Sequence, residues 1–298
     1  MTEYFEVHER DGAARLAELR LAEPVTTPAV VDDVVTDAGS LWPEDRDLPE
    51  GDESELTVLP HRGLPGGTPE EVEEAFAVDY PDVDYPSAAV VSPDTADDYG
   101  ADAYVLSGAQ KAVGHAEAFV EAVVETKAAI PDDTALYLSG VATPRNVATL
   151  VYAGVDLVDT DQAVIRGTQG RYLTTDDAYF LEDLDELPCS CAACQQPRES
   201  FDREDCVAHN VNALEAELAR VRRRIRDGRL RDYVEGQARQ DQWLTATMRR
   251  LDQQYAYLER HTPIYRREEI TAASEDTMRR VEIQRFAQRV TERYRPRF

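Results

Sequence analysis

The sequence predicts an α/β fold over residues 1–188 and a helical subdomain over residues 189–298. Before residue 188, short runs of β-branched and other apolar residues alternate with helical stretches. After residue 206, apolar residues recur with the period of a helix. The charge changes at nearly the same place. Residues 211–298 carry 20 basic and 14 acidic side chains, a net charge of +6, whereas residues 1–210 carry 12 basic and 45 acidic ones, a net charge of −33.

The α/β region contains five predicted strands, at residues 57–59, 88–91, 103–106, 135–138 and 155–158. Helices are predicted to begin at Thr68-Pro69-Glu70-Glu71, at His115 and at Thr143-Pro144. In the first and third, a threonine that can cap the helix precedes a proline, which suits the first helical position. The second is predicted to end at Ile130 and the third near Gly154. Strands and helices in alternation predict parallel βαβ units, and the acidic segment 38–55 is predicted to be a loop.

The helical region has a single apolar stripe, formed by Val207, Val211, Leu214, Leu218, Val221 and Ile225. These residues step by four and three positions, which places them on one face of a helix. Gly228 stands where a helix C-cap belongs. The pattern repeats from Leu244 to Leu258 and Pro263 follows, so two helices are predicted to form a hairpin. A third helix is predicted over residues 276–294.

The composition is typical of a folded protein adapted to high salt. The chain has 59 acidic and 32 basic residues, a net charge of −27, and only two lysines, Lys111 and Lys127. Because 42% of the residues are hydrophobic and their spacing is periodic, this charge favours a halophilic globular protein over a disordered acidic one. No stretch approaches the roughly 20 apolar residues of a membrane span, and residues 1–5 do not resemble a secretory signal. A cytoplasmic protein is therefore expected.

The four cysteines lie between residues 189 and 206, which in a cytosolic protein favours a metal over disulfides. Cys189, Cys191 and Cys194 form a C-x-C-x-x-C run, and His209 follows at the predicted start of the striped helix. Three thiolates and one imidazole suit a closed, tetrahedral structural Zn²⁺ site. Cys206 stands three residues before His209 and is an alternative ligand. Cys206 can also be interpreted as a small buried hydrophobic residue that binds no metal.

Several segments occur in an order that is characteristic of one family. Gly154-Val155-Asp156-Leu157-Val158-Asp159 is followed by Gly170-Arg171-Tyr172-Leu173-Thr174 and then by the cysteine run. The segment 137–144 precedes them, and His209-Asn210-Val211 with residues 226–230 follows. This combination resembles the late barrel strands and the zinc-linked helix of the tRNA-guanine transglycosylase superfamily. Thr27-Pro28-Ala29 is similar to an early element of that family. The resemblance implies a reduced or degenerate (β/α) barrel of transglycosylase type, followed by a zinc-pinned helical subdomain.

Within this superfamily the chain resembles the archaeosine synthases more than the base-exchange enzymes. The chain has no good counterpart of the Asp-Ser-Gly-Gly-Phe-Gln segment of the transglycosylases. Asp37-Ala38-Gly39-Ser40 resembles that segment only weakly. The synthase motif and the RNA-binding PUA domain of longer relatives are also missing, so an N-terminal portion or a split subunit is expected. The resemblance implies tRNA modification on a 7-cyano-7-deazaguanine base in the D-loop. The alternatives are an active transglycosylase and a non-catalytic tRNA-binding subunit.

Asp159 is the candidate nucleophile, because it matches the carboxylate that attacks ribose C1′ in the transglycosylases. The end of a barrel strand is a common place for catalysis. The competing interpretation is a strand-end aspartate that only caps the next turn. On a strand, Asp156 and Asp159 point to opposite faces, so they are not expected to act as a pair.

The helical region also carries a cluster of arginines that predicts contact with RNA. Its members are Arg220, Arg222, Arg223, Arg224, Arg226, Arg229 and Arg231. The predicted RNA contacts among them are Arg220, Arg222, Arg223, Arg226 and Arg229. Guanidinium groups bind phosphates bidentately, and a basic surface is unusual in so acidic a chain. The alternative is a solvated face with local ion pairs.

The expected partners are tRNA and a subunit that carries the synthase or PUA portion, while homo-oligomerisation stays open. His61 and His115 are further candidates for a site, although a lone histidine more often packs or caps.

Overall fold

The structure, a computed structural model, describes residues 2–39, 50–61, 69, 71–72, 83–266, 268–293 and 295. Half of the predicted helix start at 68–71 and most of the predicted loop at 38–55 lie outside these residues. The first three strands form an antiparallel sheet. They are β1 Phe5–Asp11, β2 Ala14–Leu19 and β3 Val25–Thr27.

The main sheet is parallel and has seven strands among the described residues. They are β4 Ala29–Val30, β5 Val35–Asp37, β6 Leu56–Val58, β7 Ser87–Val91, β8 Ala103–Leu106, β9 Ala135–Leu138 and β10 Leu157–Val158. Their order across the sheet is β4-β10-β9-β8-β7-β6-β5. Each of the five predicted strands overlaps one of these, so the predicted parallel arrangement is confirmed.

The sheet curls into the reduced barrel that the sequence predicted. Its two edge strands, β4 and β5, are consecutive in the chain and only residues 31–34 separate them. A flat sheet of seven strands would hold its edges about 29 Å apart, whereas five residue steps reach at most about 18 Å. The edges must therefore approach each other. An antiparallel hairpin of β11 Arg171–Leu173 and β12 Ala178–Phe180 follows the barrel.

The antiparallel sheet covers the amino ends of the barrel strands. Arg15 on β2 forms a buried ion pair with Asp156, which stands directly before β10, with N–O distances of 2.8 and 2.6 Å. It also donates to the backbone oxygen of Thr134, directly before β9. Ala17 and Leu19 of β2 join the same hydrophobic cluster as the inward-facing barrel residues. The carboxyl ends of the strands, where barrel enzymes place their sites, lie at the other end.

Helices surround the barrel and continue beyond it. They are α1 Ala109–Ala112, α2 Ala116–Ala129, α3 Val147–Ala153, α4 Asp161–Thr168, α5 Arg203–Arg226, α6 Leu230–Gln237, α7 Gln242–Gln253, α8 Tyr255–His261 and α9 Val281–Arg293. Leu214, Leu218, Val221 and Ile225 of α5 are buried in one cluster with the outward side of the sheet. No helix in the described ranges is long and apolar enough to span a bilayer. The boundary between residues 188 and 189 stays a prediction.

Gly167 allows α4 and α5 to pack closely. A Cβ atom at Gly167 would lie 2.6 Å from Cα of Val207 and 2.8 Å from its backbone nitrogen. Real Cβ atoms do not approach backbone so closely, so only glycine fits without movement of a helix. Val207, which was predicted to belong to the apolar stripe, therefore packs against the backbone of α4 at Gly167.

Several helix boundaries differ from the predictions for local reasons. The predicted helix at Thr143 begins instead at Val147, because Thr143 and Asn146 bond each other's backbone nitrogens at 2.8 and 3.3 Å and form a turn. The predicted hairpin was wrong in detail, since α6 intervenes and the second helix is interrupted at Gln254. Asp241 begins α7 by accepting bonds from the two backbone nitrogens of Trp243 and Leu244. The predicted end at Gly228 is confirmed by its φ of 62°.

Candidate metal centre and barrel-mouth carboxylates

A short loop and helix α5 bring together four side chains that can bind a metal. Cys189, Cys191 and Cys194 lie on the loop, where a 3-10 turn at Ala192–Gln195 folds the chain back on itself. His209 lies in the second turn of α5, one turn later than predicted. The helix begins early, at Arg203, because the Asp202 carboxylate accepts bonds from the backbone nitrogens of Glu204 and Asp205.

The spacing of the four ligand atoms fits a tetrahedral ion. The three sulfurs and one ring nitrogen lie within 4.8 Å of one another. Sγ of Cys191 is 3.6 Å from Sγ of Cys194, and Nδ1 of His209 is 3.3 Å from Cys194 Sγ and 3.6 Å from Cys191 Sγ. Bonds of about 2.3 Å to a central ion require ligand atoms about 3.8 Å apart at the tetrahedral angle. We call this set the Cys–His cluster, and it can hold a metal ion.

The imidazole of His209 is oriented by its neighbours. Its Nε2 lies 2.9 Å from the backbone oxygen of Leu173, and its ring stacks on Tyr172 at 3.7 Å between centroids. Burial lowers the pKa of His209, so the neutral ring donates from Nε2 and turns the Nδ1 lone pair toward the sulfurs. A backbone acceptor behind a histidine is a common means of orienting a metal ligand.

Cys206 lies outside the Cys–His cluster. Its side chain is fully buried with Tyr172 and Phe201 in a small hydrophobic cluster beside the four ligand side chains. Burial raises the pKa of the Cys206 thiol to about 11. These surroundings suit the interpretation of Cys206 as a buried hydrophobic residue.

Asp159 lies at the carboxyl end of β10 and is 3% exposed. Both of its oxygens accept hydrogen bonds. The backbone nitrogen of Gly140, in the loop after β9, donates to Oδ1 and Oδ2 at 2.9 and 2.8 Å. The hydroxyl of Tyr137 donates to Oδ2 at 3.0 Å, and the nitrogen of Asp161 donates to Oδ1 at 3.3 Å. Burial, and then the charge of Asp159, raise the pKa of Tyr137, which therefore stays protonated as a donor.

Two further carboxylates, Asp32 and Asp161, surround this position, and neither was predicted. Asp32, after β4, accepts from the backbone nitrogen of Thr160 at 3.1 Å. Partial burial, and then the negative charges of Asp159 and Asp32, raise the pKa of Asp161. Asp32 is separated from Asp159 by more than a hundred residues, and only the closure of the barrel brings β4 beside β10. Asp156 binds Arg15 instead, which agrees with the expectation that Asp156 and Asp159 do not form a pair.

The five predicted RNA-binding arginines occupy different environments. Arg220 is bonded to Glu217 and Tyr233, and Arg222 donates to the backbone oxygen of Pro28 at 2.6 Å. Arg229 donates to Thr271 at 3.1 Å. Arg223 is 71% exposed and forms an ion pair with Asp227, and Arg226 is exposed.

The two histidines singled out from the sequence have separate positions. His61 follows β6, and its Nδ1 is buried without a hydrogen-bond partner in the described residues. His115 is the N-cap residue of α2, but its side chain makes no capping bond.

Comparison with known proteins places the chain in a family. Residues 85–242, slightly more than half of the chain, match the sequence model described as queuine tRNA-ribosyltransferase. The chain therefore belongs to the queuine tRNA-ribosyltransferase family, which confirms the predicted transglycosylase superfamily. It is 68% identical, over all of its 298 residues, to a protein named archaeosine synthase from Haloferax volcanii, and it covers 51% of that protein.

More distant relatives show the same relationship. The chain is 37% identical, over 99% of its length, to archaeosine synthase subunit alpha from Methanosarcina acetivorans, of which it covers 52%. It is 32% identical, over 58% of its length, to tRNA-guanine(15) transglycosylase from Methanothermobacter thermautotrophicus, of which it covers 28%. The chain thus spans about half the length of the two archaeosine synthase relatives.

Proposed function

We propose that this chain is the transglycosylase-like part of an archaeosine synthase and that it acts in tRNA modification. The observation that carries this proposal is the similarity to archaeosine synthase along the whole chain. On this proposal the chain holds tRNA whose D-loop carries the base 7-cyano-7-deazaguanine. The nitrile group of this base is then converted to an amidine with nitrogen from a donor molecule.

We propose further that the chain does not exchange bases. A carboxylate nucleophile needs a free oxygen that ribose C1′ can approach. Asp159 is 3% exposed, and Gly140, Tyr137 and Asp161 donate to its oxygens. These bonds support a role for Asp159 in joining the ends of β9 and β10. The competing function is base exchange, which the nearby Asp32 favours because it offers a second carboxylate.

We propose Zn²⁺ as the metal of the Cys–His cluster. Thiolate and imidazole ligands suit zinc, and four protein ligands leave no open position for catalysis. The ion would supply folding free energy by fixing the cysteine loop to α5. His209, Asn210 and four of the five arginines lie on this helix, and Arg229 follows it, so the metal would also position the basic surface.

The basic surface of α5 is our proposed contact with the RNA backbone. Arg223 and Arg226 are the leading members because they are exposed. Arg220, Arg222 and Arg229 are bonded within the protein and would shape the surface around them.

Guanine exchange tests the proposal directly. The purified chain is mixed, in molar KCl, with tRNA and radiolabelled guanine, and both tRNA binding and label incorporation are measured. We expect binding without incorporation and without a covalent adduct on denaturing gels. Incorporation that Asp159→Asn abolishes would establish a transglycosylase instead. If the chain does not bind tRNA under any salt condition, the proposed role in tRNA modification by this part is wrong.

A further inference from the structure

Exposed large hydrophobic side chains are concentrated in one segment of the described chain. Eight such residues are exposed in the described ranges, and five of them lie between residues 264 and 290. They are Ile264 and Tyr265, each 78% exposed, Met278 at 61%, Phe286 at 68% and Val290 at 43%. We call this set the 264–290 apolar surface. Scattered apolar residues are normal on a protein surface, whereas a concentration of them marks an interaction site.

Helix α9 presents its apolar side away from the protein. Val281 and Arg285 are its buried residues. Arg285 anchors the helix by donating to Glu259 and to the backbone oxygens of Thr262 and Pro263, at 3.0 to 3.1 Å. Phe286 and Val290 lie four positions apart, on the side opposite Val281 and Arg285. The helix is therefore held by a charged side chain while its apolar stripe faces outward.

The loop that carries Ile264 and Tyr265 is tied to the same helix. Arg266 forms an ion pair with Glu282 of α9 at 2.8 Å, and Arg285 of α9 reaches the oxygen of Pro263. Gln284 of α9 donates to the backbone oxygen of Met278 at 2.7 Å. These bonds tie the segments that carry the five residues to α9. Exposed Arg289 and Arg293 lie on the same helix, so a fitting partner offers apolar side chains with acidic residues around them.

We infer that the 264–290 apolar surface docks the half of the archaeosine synthase polypeptide that this chain does not match. The two archaeosine synthase relatives are about twice as long as the chain, so they contain a second part of similar size on the same polypeptide. Five side chains make a small contact compared with the roughly 600 to 1,000 Å² per partner of a stable dimer. A small contact suffices between parts of one polypeptide, because linkage raises their effective concentration to about the millimolar range. This argument favours the second half over another copy of the chain.

A binding experiment with defined variants tests the inference. The probe is the unmatched half of the Haloferax volcanii relative, expressed as a separate polypeptide and titrated up to about the millimolar concentration that linkage would provide. The readout is sedimentation and calorimetry in molar KCl. We expect a one-to-one complex with the chain that Phe286→Asp and Val290→Asp weaken at least tenfold. Ile165→Asp is the matched control, since Ile165 is an exposed apolar residue, 45% exposed, on helix α4. Thermal unfolding checks that every variant is folded.

Three results would overturn the inference. The first is no complex between the chain and the probe, and the second is a complex that the two α9 variants leave unchanged. The third is self-association of the chain that these variants abolish, because it would make a second copy the occupant. The inference rests on the proposed function, but the test does not involve tRNA, so its failure can be told apart from a failure of tRNA binding.

Discussion

The Cys–His cluster and the Asp159 carboxylate differ in what their lone pairs face. In the cluster, the sulfurs of Cys191 and Cys194 and the Nδ1 of His209 face one another at 3.3 to 3.6 Å. At Asp159, a hydroxyl and two backbone nitrogens already donate to the two oxygens. Thiol sulfurs and an imidazole nitrogen that converge on one another can hold a cation between them, whereas a carboxylate with all its donors in place is complete. The first arrangement can accept a ligand, and the second has no need of one.

The largest effect that this difference predicts is the loss of stability when the Cys–His cluster is broken. We expect one zinc per chain and a large fall in melting temperature for Cys191→Ser, because structural zinc contributes on the order of 10 kcal/mol to folding in small domains. Elemental analysis and thermal unfolding measure the two quantities. The control is Cys206→Ser, which should keep the metal and destabilise by only about 1–3 kcal/mol through a buried hydroxyl. Zinc content well under half an equivalent in the wild type, without chelator treatment, contradicts the proposal.

Salt should act on the two sites unequally. Both sites lie in residues 1–210, which carry a net charge of −33, and low salt removes the screening of mutual repulsion there. The hydrogen bonds of Asp159 depend on the folded barrel, whereas metal–ligand bonds at the Cys–His cluster would depend little on salt. We expect the melting temperature to fall strongly between molar and low millimolar KCl while the purified chain keeps its metal. An unchanged melting temperature would show that the inferred adaptation to high salt is wrong.

The contact at Gly167 connects the barrel to the helix that carries His209, so it tests whether the two sites depend on each other. We expect Gly167→Ala to destabilise the protein by about 1–3 kcal/mol, because its Cβ meets the backbone of Val207. Gly236→Ala is the matched control, since no atom lies within 4 Å of a Cβ there. In helix α6 it should be neutral or stabilising by up to about 1 kcal/mol. Equal melting temperatures for the two variants in denaturation experiments would contradict this role of Gly167.

Local patterns account for what the sequence predicted well. The helical period identified Leu214, Leu218, Val221 and Ile225 as buried, and ligand spacing identified the four members of the Cys–His cluster. Both signals depend on residues that are close in the chain or on one motif. The antiparallel strands β1 and β2 were not predicted, because Arg15 and other polar residues interrupt their apolar pattern.

Long-range contacts account for what was missed. The partners of Asp159 are a tyrosine and a backbone nitrogen that lie 22 and 19 residues away. No sequence motif predicts such donors, and without them Asp159 can be interpreted either as a nucleophile or as a strand-end cap. Asp32 reaches this site only because the sheet closes, a property of topology and not of any segment.

The arginine surface offers a smaller effect that leaves folding intact. Arg223→Glu together with Arg226→Glu should weaken tRNA binding. The slope of the logarithm of the binding constant against the logarithm of the salt concentration should become shallower by about 1 for each lost phosphate contact. Lys111→Glu with Arg289→Glu is the control, because it changes the net charge equally on other helices. Filter binding across a KCl series measures both pairs. Equal losses in both would indicate a general charge effect in place of a defined surface.

The smallest effect on tRNA affinity is expected at Asp159 itself, and it completes the comparison with the Cys–His cluster. Asparagine keeps one acceptor oxygen. Its amide NH₂ group, which can only donate, would replace the other oxygen of Asp159 and would face hydrogen-bond donors. Asp159→Asn should therefore lower stability by about 1–3 kcal/mol, the magnitude for one unsatisfied buried donor. Its affinity for tRNA should equal that of the wild type, because a side chain bonded to Gly140 and Tyr137 has no free oxygen for RNA. Asp161→Asn, an exposed neighbour, controls for the lost charge. A tRNA affinity that falls in Asp159→Asn but not in Asp161→Asn would mean that the Asp159 oxygens do engage the RNA, and the contrast between a complete carboxylate and an incomplete metal cluster would no longer hold.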